Sequence, residues 1–279
     1  MIGIGPFSVH VVAVALAAFL AWLGARFFIG RHEPGERRKT ASLVIDTLVV
    51  GLLAARVAYV AAWWSDYMVQ PMAIVALGDG GFYWWAGLPA AIVFALWRTH
   101  ALPRLRWPLL GAIALGMGAW GLAQGGLLVL NRDAPPLPQV ALTNLQAQPV
   151  TLDTYRGKPL VINLWATWCP PCQREMPALE RAQHEYPGVT FLMVNQGENA
   201  PLVESFLKYK KLKFQHVLLD HQSAILDAVH SRGLPTTLFY SPDGRLLETH
   251  MGEISSARLR DDVRQLFAQT PTNPPKRKE

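Results

Sequence analysis

Four long apolar stretches crowd into the first 130 residues: Phe7 to Ile29, Ala41 to Trp64, roughly Phe82 to Trp97, and Trp107 to Leu130. Three of them reach the roughly 20 residues that a helix needs to cross a bilayer core. The third is shorter and carries Gly87 and Pro89, so it either starts earlier, near Ile74, or enters as a broken or re-entrant segment. Beyond Asn131 short apolar runs alternate with polar turns, the pattern of a water-soluble domain. The expected organisation is an α-helical membrane domain of about four spans over 1–130 and a proline-rich linker over 131–138. An α/β domain with a mixed central sheet follows over 139–269, with a disordered tail over 270–279.

Positive charges orient the spans. Arg31, Arg37, Arg38 and Lys39 lie in the first connector beside Arg26, and Arg98, Arg104 and Arg106 in or beside the third. The second, Ser65 to Gly81, has no Lys or Arg but has Asp66 and Asp79. The positive-inside rule puts the first and third loops in the cytoplasm, and the N-terminus and everything after Leu130 outside. No basic residue precedes the first apolar core within Met1 to Ser8, so that segment is expected to be retained rather than cleaved as a signal peptide. The net charge of +6 calls for no nucleic-acid partner, because much of it sits in these loops and in Lys276-Arg277-Lys278.

The chain has two cysteines, in Cys169-Pro170-Pro171-Cys172, directly after the run Val161 to Trp168. An apolar, β-branched run ending in Trp-Cys-x-x-Cys places the first sulfur just past a strand and the second in the first turn of a helix. Unpaired N–H groups and the positive end of the helix dipole stabilise a thiolate there, so Cys169 is the expected nucleophile. Cys172, one turn in, is placed to attack the mixed disulfide and release the partner. Pro170 and Pro171 suit the first helical positions but remove backbone donors that could otherwise hold the thiolate. Two other readings stand beside this one. A structural zinc site needs about four ligands, whereas no second Cys pair exists and His184, His216, His221, His230 and His250 lack ligand spacing. A purely structural disulfide would close so short a loop that it adds little stability. No cofactor or metal is expected.

In the second half the pattern predicts strands at Val140 to Leu142, Val150 to Leu152, 160–166, Val189 to Val194, Val217 to Leu219, Thr236 to Tyr240 and Leu246 to Thr249. Helices are predicted after Cys169, near Pro201 to Tyr209, near Ala224 to His230 and over Ser256 to Ala268, giving a mixed sheet with helices on both faces. With "GKP", "LVINLWATWCPPCQREMP" and "GLPTTLFYSPDG" in this order, residues from about 138 to 269 resemble the thioredoxin-fold thiol:disulfide oxidoreductases of the TlpA/ResA type.

That resemblance implies a thioredoxin-like domain that exchanges disulfides with protein disulfide or thiol substrates, in the direction that reduces protein disulfides, on the outer face of the inner membrane, in the periplasm. It implies a cis Leu234-Pro235 peptide beside the cysteines, with the Leu234 backbone pairing with a substrate strand. Trp168, Leu234 and Pro235 are then substrate-binding, and Trp168 also shields the thiolate. Thioredoxin itself has a buried Asp where this chain has Asn163, which cannot titrate. Glu175 matches the acid of ResA-like members and lies on the Cys172 side of the helix; its plain alternative is a solvated helix glutamate. Pro177 predicts a kink or local break. The family serves cytochrome c maturation or keeps envelope thiols reduced, and a membrane protein is the expected electron donor. The peroxiredoxin arrangement Pro-x-x-x-Thr-x-x-Cys is absent.

Ala54 to Leu88, "AARVAYVAAWWSDYMVQPMAIVALGDGGFYWWAGL", is similar to part of the prolipoprotein diacylglyceryl transferase family. Where that pattern has a histidine after the Gly-Gly, Trp85 stands here, and its later "GNFINGE"-like segment has no counterpart. The resemblance implies an anchor derived from that family, with membrane lipid as a partner. Arg56, a charge within a span, calls for Asp46 or a lipid headgroup beside it. Diacylglyceryl transfer by the membrane half and a redox sensor without turnover are the alternative functions.

Overall fold

The structure is a computed structural model and describes residues 19–20, 22–23, 34–69, 71–75, 80–100, 103–130 and 136–267. Most of the first apolar stretch, the start of the linker and the C-terminal tail lie outside the described residues. Two compact units form, one built from the N-terminal helices and one that includes residues 136–267.

The N-terminal unit contains α1 (Pro34–Ala62), α2 (Trp64–Val69), a 3-10 turn at Pro71–Ile74, α3 (Trp84–Arg98) and α4 (Pro103–Leu130). Among the described residues one helix is long and apolar enough to cross a membrane. Its segment Ser42–Ala62 has 21 residues and a mean hydropathy of 2.0, and Leu109–Ala123 is a shorter apolar segment. The third apolar stretch does not begin near Ile74. Gly80 turns the chain at φ 71°, a left-handed conformation that no α-helix contains, so α3 starts only at Trp84; it then runs for 15 residues with Pro89 inside it.

Small residues let α1 and α3 meet backbone to backbone. Gly51 and Ala55 on α1 face Gly87 and Ala91 on α3, both pairs at the four-residue spacing that favours close packing of apolar helices. A Cβ on Gly87 would lie 2.6 Å from the Gly51 carbonyl oxygen. Gly87→Leu is therefore expected to destabilise this unit by about 1–3 kcal/mol, measured by thermal unfolding in detergent. An unchanged midpoint would show that the helices do not need this approach.

Arg56 is buried, and its partner is not Asp46, which lies nearly three turns earlier on the same helix and about 15 Å along its axis. Instead the guanidinium donates to the carbonyls of Ala73 (2.8 Å), Ile74 (3.1 and 3.2 Å) and Gly81 (2.9 Å). It also lies over the rings of Tyr67 and Phe82, 5.3 and 5.6 Å from their centroids.

The C-terminal unit comprises β1 (Leu142–Asn144), β2 (Pro149–Val150), β3 (Leu160–Trp165), α5 (Pro170–Glu185), β4 (Thr190–Gln196) and α6 (Ala200–Lys210), followed by β5 (His216–Asp220), α7 (Ala224–Ala228), β6 (Thr236–Tyr240), β7 (Leu246–Met251) and α8 (Ser256–Phe267). The strands form one sheet of order β2-β1-β5-β4-β3-β6-β7. It is mixed: β3, β4 and β5 run parallel, while β6, β7, β1 and β2 enter through antiparallel pairings. The second predicted strand is shorter than expected. It stops at Val150, and Leu152 begins a 3-10 turn, Leu152–Tyr155, that buries the leucine against the sheet. The end of the predicted linker also belongs to the domain. Pro136 bridges Arg245, and Leu137 is buried with its N–H on the Gly244 carbonyl at 3.0 Å.

Alternation along β3 feeds two cores, because successive side chains leave opposite faces of a strand. Val161 and Trp165 join the core under α5, α6 and α8 together with both cysteines. Leu160, Ile162 and Leu164 join the other, closed by Ile225 of α7 and by Leu137, Leu142 and Leu152. Asn163 falls on the cysteine face. Position 163 is thus a polar residue inside a fully buried strand, and polar groups there need partners.

Candidate active site

After β3 the chain passes through Ala166, Thr167 and Trp168 and caps α5 with Cys169. Pro170 and Pro171 occupy the first helical positions and donate nothing, which leaves the N–H of Cys172 as the first donor in the turn. It points at Cys169 Sγ, 3.3 Å away. Cys169 and Cys172 form a disulfide, with Cα atoms 5.3 Å apart. Both are buried, at 3% and 0% exposure, whereas Trp168 beside them is 68% exposed.

Leu234-Pro235 is a cis peptide. Leu234 packs against both cores, including the one that holds the cysteines. The loop before it is tied by Thr236 Oγ1, which donates to the Gly233 carbonyl at 2.7 Å and lies 2.7 Å from Ser231 Oγ. The predicted substrate-binding residues Trp168 and Leu234 line one groove, and Pro235 adjoins it in the chain.

Glu175 is not a solvated helix residue, for it is only 1% exposed. Its Oε1 accepts from Asn163 Nδ2 at 2.7 Å and its Oε2 from the Ile254 N–H at 2.8 Å, while Asn163 also donates to Thr237 Oγ1 at 3.1 Å. Burial raises its pKa from 4.5 to about 8, against the two hydrogen bonds, which favour the charged form. Asn163 and Glu175 thus meet in one network. The helix continues through Pro177 without a break.

Sequence reasoning missed Glu198. Its carboxylate accepts from the Thr167 N–H at 2.7 Å, from Thr167 Oγ1 at 2.5 Å and from Asn195 Nδ2 at 2.6 Å. Gln173 Nε2 donates to the Thr167 carbonyl at 2.7 Å, so the residue two before Cys169 is held from both sides. The signal was positional. Trp165 and Asn195 are register partners at the carboxyl ends of parallel β3 and β4, the edge where open α/β sheets place their sites.

With this geometry in hand, similarity to known proteins becomes informative. Residues 134–249 match the AhpC/TSA family, and residues 1–125 match prolipoprotein diacylglyceryl transferase. The chain is 32% identical over 134 residues to the thiol-disulfide oxidoreductase ResA of Halalkalibacterium halodurans, covering 47% of this chain and 76% of that protein. The chain belongs to the ResA family of thiol-disulfide oxidoreductases. To the ResA of Geobacillus kaustophilus it is 36% identical over 120 residues, 42% of this chain and 68% of that one. Among solved structures it is similar to MTB dsbF, in its mixed oxidized and reduced forms. There the identity is 26% and the TM-score 0.44, over 48% of this chain and 98% of the other.

This ResA-family oxidoreductase carries its cysteines, Glu175 and the Thr167 clamp in the C-terminal unit. The match over residues 1–125 points to a membrane domain ahead of it. Glu198→Gln keeps the shape of the clamp but replaces one acceptor oxygen with a donor, facing Thr167 or Asn195. It is expected to slow disulfide exchange about tenfold and to cost about 1–3 kcal/mol; equal rates and equal thermal midpoints would show that the clamp is dispensable.

Proposed function

We propose that the protein is a multi-pass inner-membrane oxidoreductase that reduces protein disulfides in the periplasm, with Cys169 and Cys172 as its redox pair. The observation that carries this reading is the Cys172 N–H directed at Cys169 Sγ at a helix start, in a helix that buries Glu175 one turn further on. A negative sulfur is stabilised at Cys169 and a proton-holding group stands on the Cys172 side.

Chemistry then follows in two exchanges. The Cys169 thiolate attacks one sulfur of a substrate disulfide, forming a mixed disulfide and expelling the other sulfur as a thiolate. Cys172 gives its proton to the Glu175 carboxylate, and its thiolate attacks Cys169 Sγ, expelling the second substrate thiolate. Two electrons pass from the enzyme dithiol to the substrate disulfide, and the enzyme is left with its own disulfide. Trp168, Leu234 and Pro235 hold the substrate segment. A membrane protein that supplies electrons returns the pair to the dithiol, and about four spans in residues 1–130 hold the domain at the outer face. Substrates in cytochrome c maturation or other envelope thiols fit this assignment.

The deciding measurement is the reduction potential of the full-length protein in detergent, titrated against glutathione or dithiothreitol with the cysteines trapped by alkylation. A value near or below that of thioredoxin, about −270 mV, is expected of a reductase; one near about −120 mV would mean that the protein donates disulfides. The match of residues 1–125 to the transferase family favours a second activity in the membrane half. Trp85 stands in the expected histidine position, so the chain is expected not to support lipoprotein maturation in transferase-depleted cells. Rescue there would assign it that activity.

A further inference from the structure

Every lysine of residues 136–267 sits at one end of the C-terminal unit. The strands define the ends: β3, β4 and β5 run parallel, and the cysteines follow the carboxyl end of β3. Lys158 lies at the opposite end, two residues before β3 begins. α6 returns the chain to that same end, with Lys208 and Lys210 in its last turn, Lys211 as its cap and Lys213 three residues before β5. The two groups are neighbours there, since burial and then the Lys158 charge lower the pKa of His216, the first residue of β5. All five lysines are exposed. None of them makes an ion pair among the described residues.

Nearby carboxylates are mostly taken up by arginines. Asp153, Asp243 and Glu185 pair with Arg156, Arg245 and Arg260, each at 2.6 Å. Glu180, which accepts the Lys213 N–H at 2.6 Å, and Glu204, one turn before Lys208, offset only part of the lysine charge. Tyr209 stands among the lysines, 81% exposed, with Lys210 Nζ 5.8 Å from its ring centroid. Exposed cations beside an aromatic ring with a polar tip suit the headgroup layer of an anionic bilayer. The chain enters the unit at this end too, where Pro136 bridges Arg245 and Leu137 donates to the Gly244 carbonyl, in the turn whose Pro242 carbonyl receives the Gly157 N–H. Residues 131–135 separate that entry from Leu130, where α4 ends, and such a run reaches about 20 Å at most.

We infer that this lysine end of the C-terminal unit docks on an anionic phospholipid surface, with the cysteine end turned away from the lipid. The inference rests on the reading that residues 1–130 span a membrane. Along β3 the two ends are about 17 Å apart. Docking therefore leaves Trp168 and the disulfide open to substrates that arrive from water.

The test is amine labelling of the full-length protein in lipid nanodiscs, made of phosphatidylcholine alone or mixed with phosphatidylglycerol. A water-soluble acylating reagent modifies each lysine at a rate read by mass spectrometry after digestion. Lys158 and the four lysines of 208–213 are expected to react about fivefold more slowly in the anionic discs at low salt. The difference is expected to shrink below about twofold near 1 M salt, where charges are screened within about 3 Å. In the triple variant Lys210→Glu, Lys211→Glu, Lys213→Glu the slowing at Lys158 is expected to be lost, with disulfide exchange in detergent unchanged. Equal rates in the two discs leave this surface to a protein partner and overturn the inference. So does a slowing that ignores salt, or one at Lys158 that survives the triple variant. A chain that fails to enter neutral discs overturns the membrane reading instead, and so is distinguishable from a failure of the docking surface alone.

Discussion

Replacing Cys169 with serine abolishes turnover of disulfide substrates, whereas replacing Cys172 with serine leaves a protein that accumulates one mixed disulfide per chain. The asymmetry follows from position. Cys169 caps α5 and its sulfur receives the Cys172 N–H, so under the proposed mechanism it is the sulfur expected to be held as a thiolate and to attack first. A serine hydroxyl does not ionise at neutral pH and cannot exchange with a disulfide, so no slower route through residue 169 remains. Cys172 lies inside the core at 0% exposure and reaches only a sulfur already bound to Cys169. Without it the first exchange still occurs and the second does not. Non-reducing gels of the two variants, incubated with a peptide disulfide and quenched by alkylation, separate the outcomes. A Cys169→Ser protein that turns over, or adducts that form on Cys172 instead, would reverse the assignment.

Glu175→Gln is expected to slow release of the substrate from the mixed disulfide by about a hundredfold, within the range that general acid–base groups contribute. Burial moves the carboxyl to about 8, against the hydrogen bonds from Asn163 and the Ile254 N–H, which favour its charged form. Its carboxylate form is placed to accept the Cys172 proton. The pH dependence has a definite sign. Release by the native protein rises with pH through about 8 as the carboxylate form accumulates, and this rise is lost in Glu175→Gln; identical profiles would remove Glu175 from the chemistry.

Stability moves the opposite way. The folded protein holds this proton up to about 8 while the unfolded chain loses it near 4.5. The contribution to stability is full below about 4.5 and is lost as pH rises through 8, with a slope of about 1.4 kcal/mol per pH unit at most. The thermal midpoint of Glu175→Gln, relative to the native protein, should therefore climb over that interval. The redox and thermal measurements are independent, so an effect on stability without one on release would mark Glu175 as a buried structural acid.

Much of this site could be read from the chain because its signals are local. A β-branched run, two cysteines three apart and two prolines between them specify a strand, a cap and a helix start by near-neighbour sterics and hydrogen bonding alone. The same holds for the alternation in Leu160 to Trp165, which divides its side chains between two cores. Chain boundaries were less legible. Leu137 looked like linker because its burial depends on the distant Gly244 and Arg245 turn. The start of α3 depended on the backbone conformation of a glycine that no apolar pattern records.

The sequence by itself determined that a cysteine pair sits at a helix start in a mixed α/β domain behind an apolar N-terminal half, since these follow from contacts within a few residues. Only the tertiary structure decided what surrounds that pair. Whether Glu175 meets water or Asn163 and Ile254, and whether Glu198 reaches Thr167, depends on groups many residues apart. Desolvation and hydrogen bonding act through space, and the fold alone sets which groups are close and which are dry.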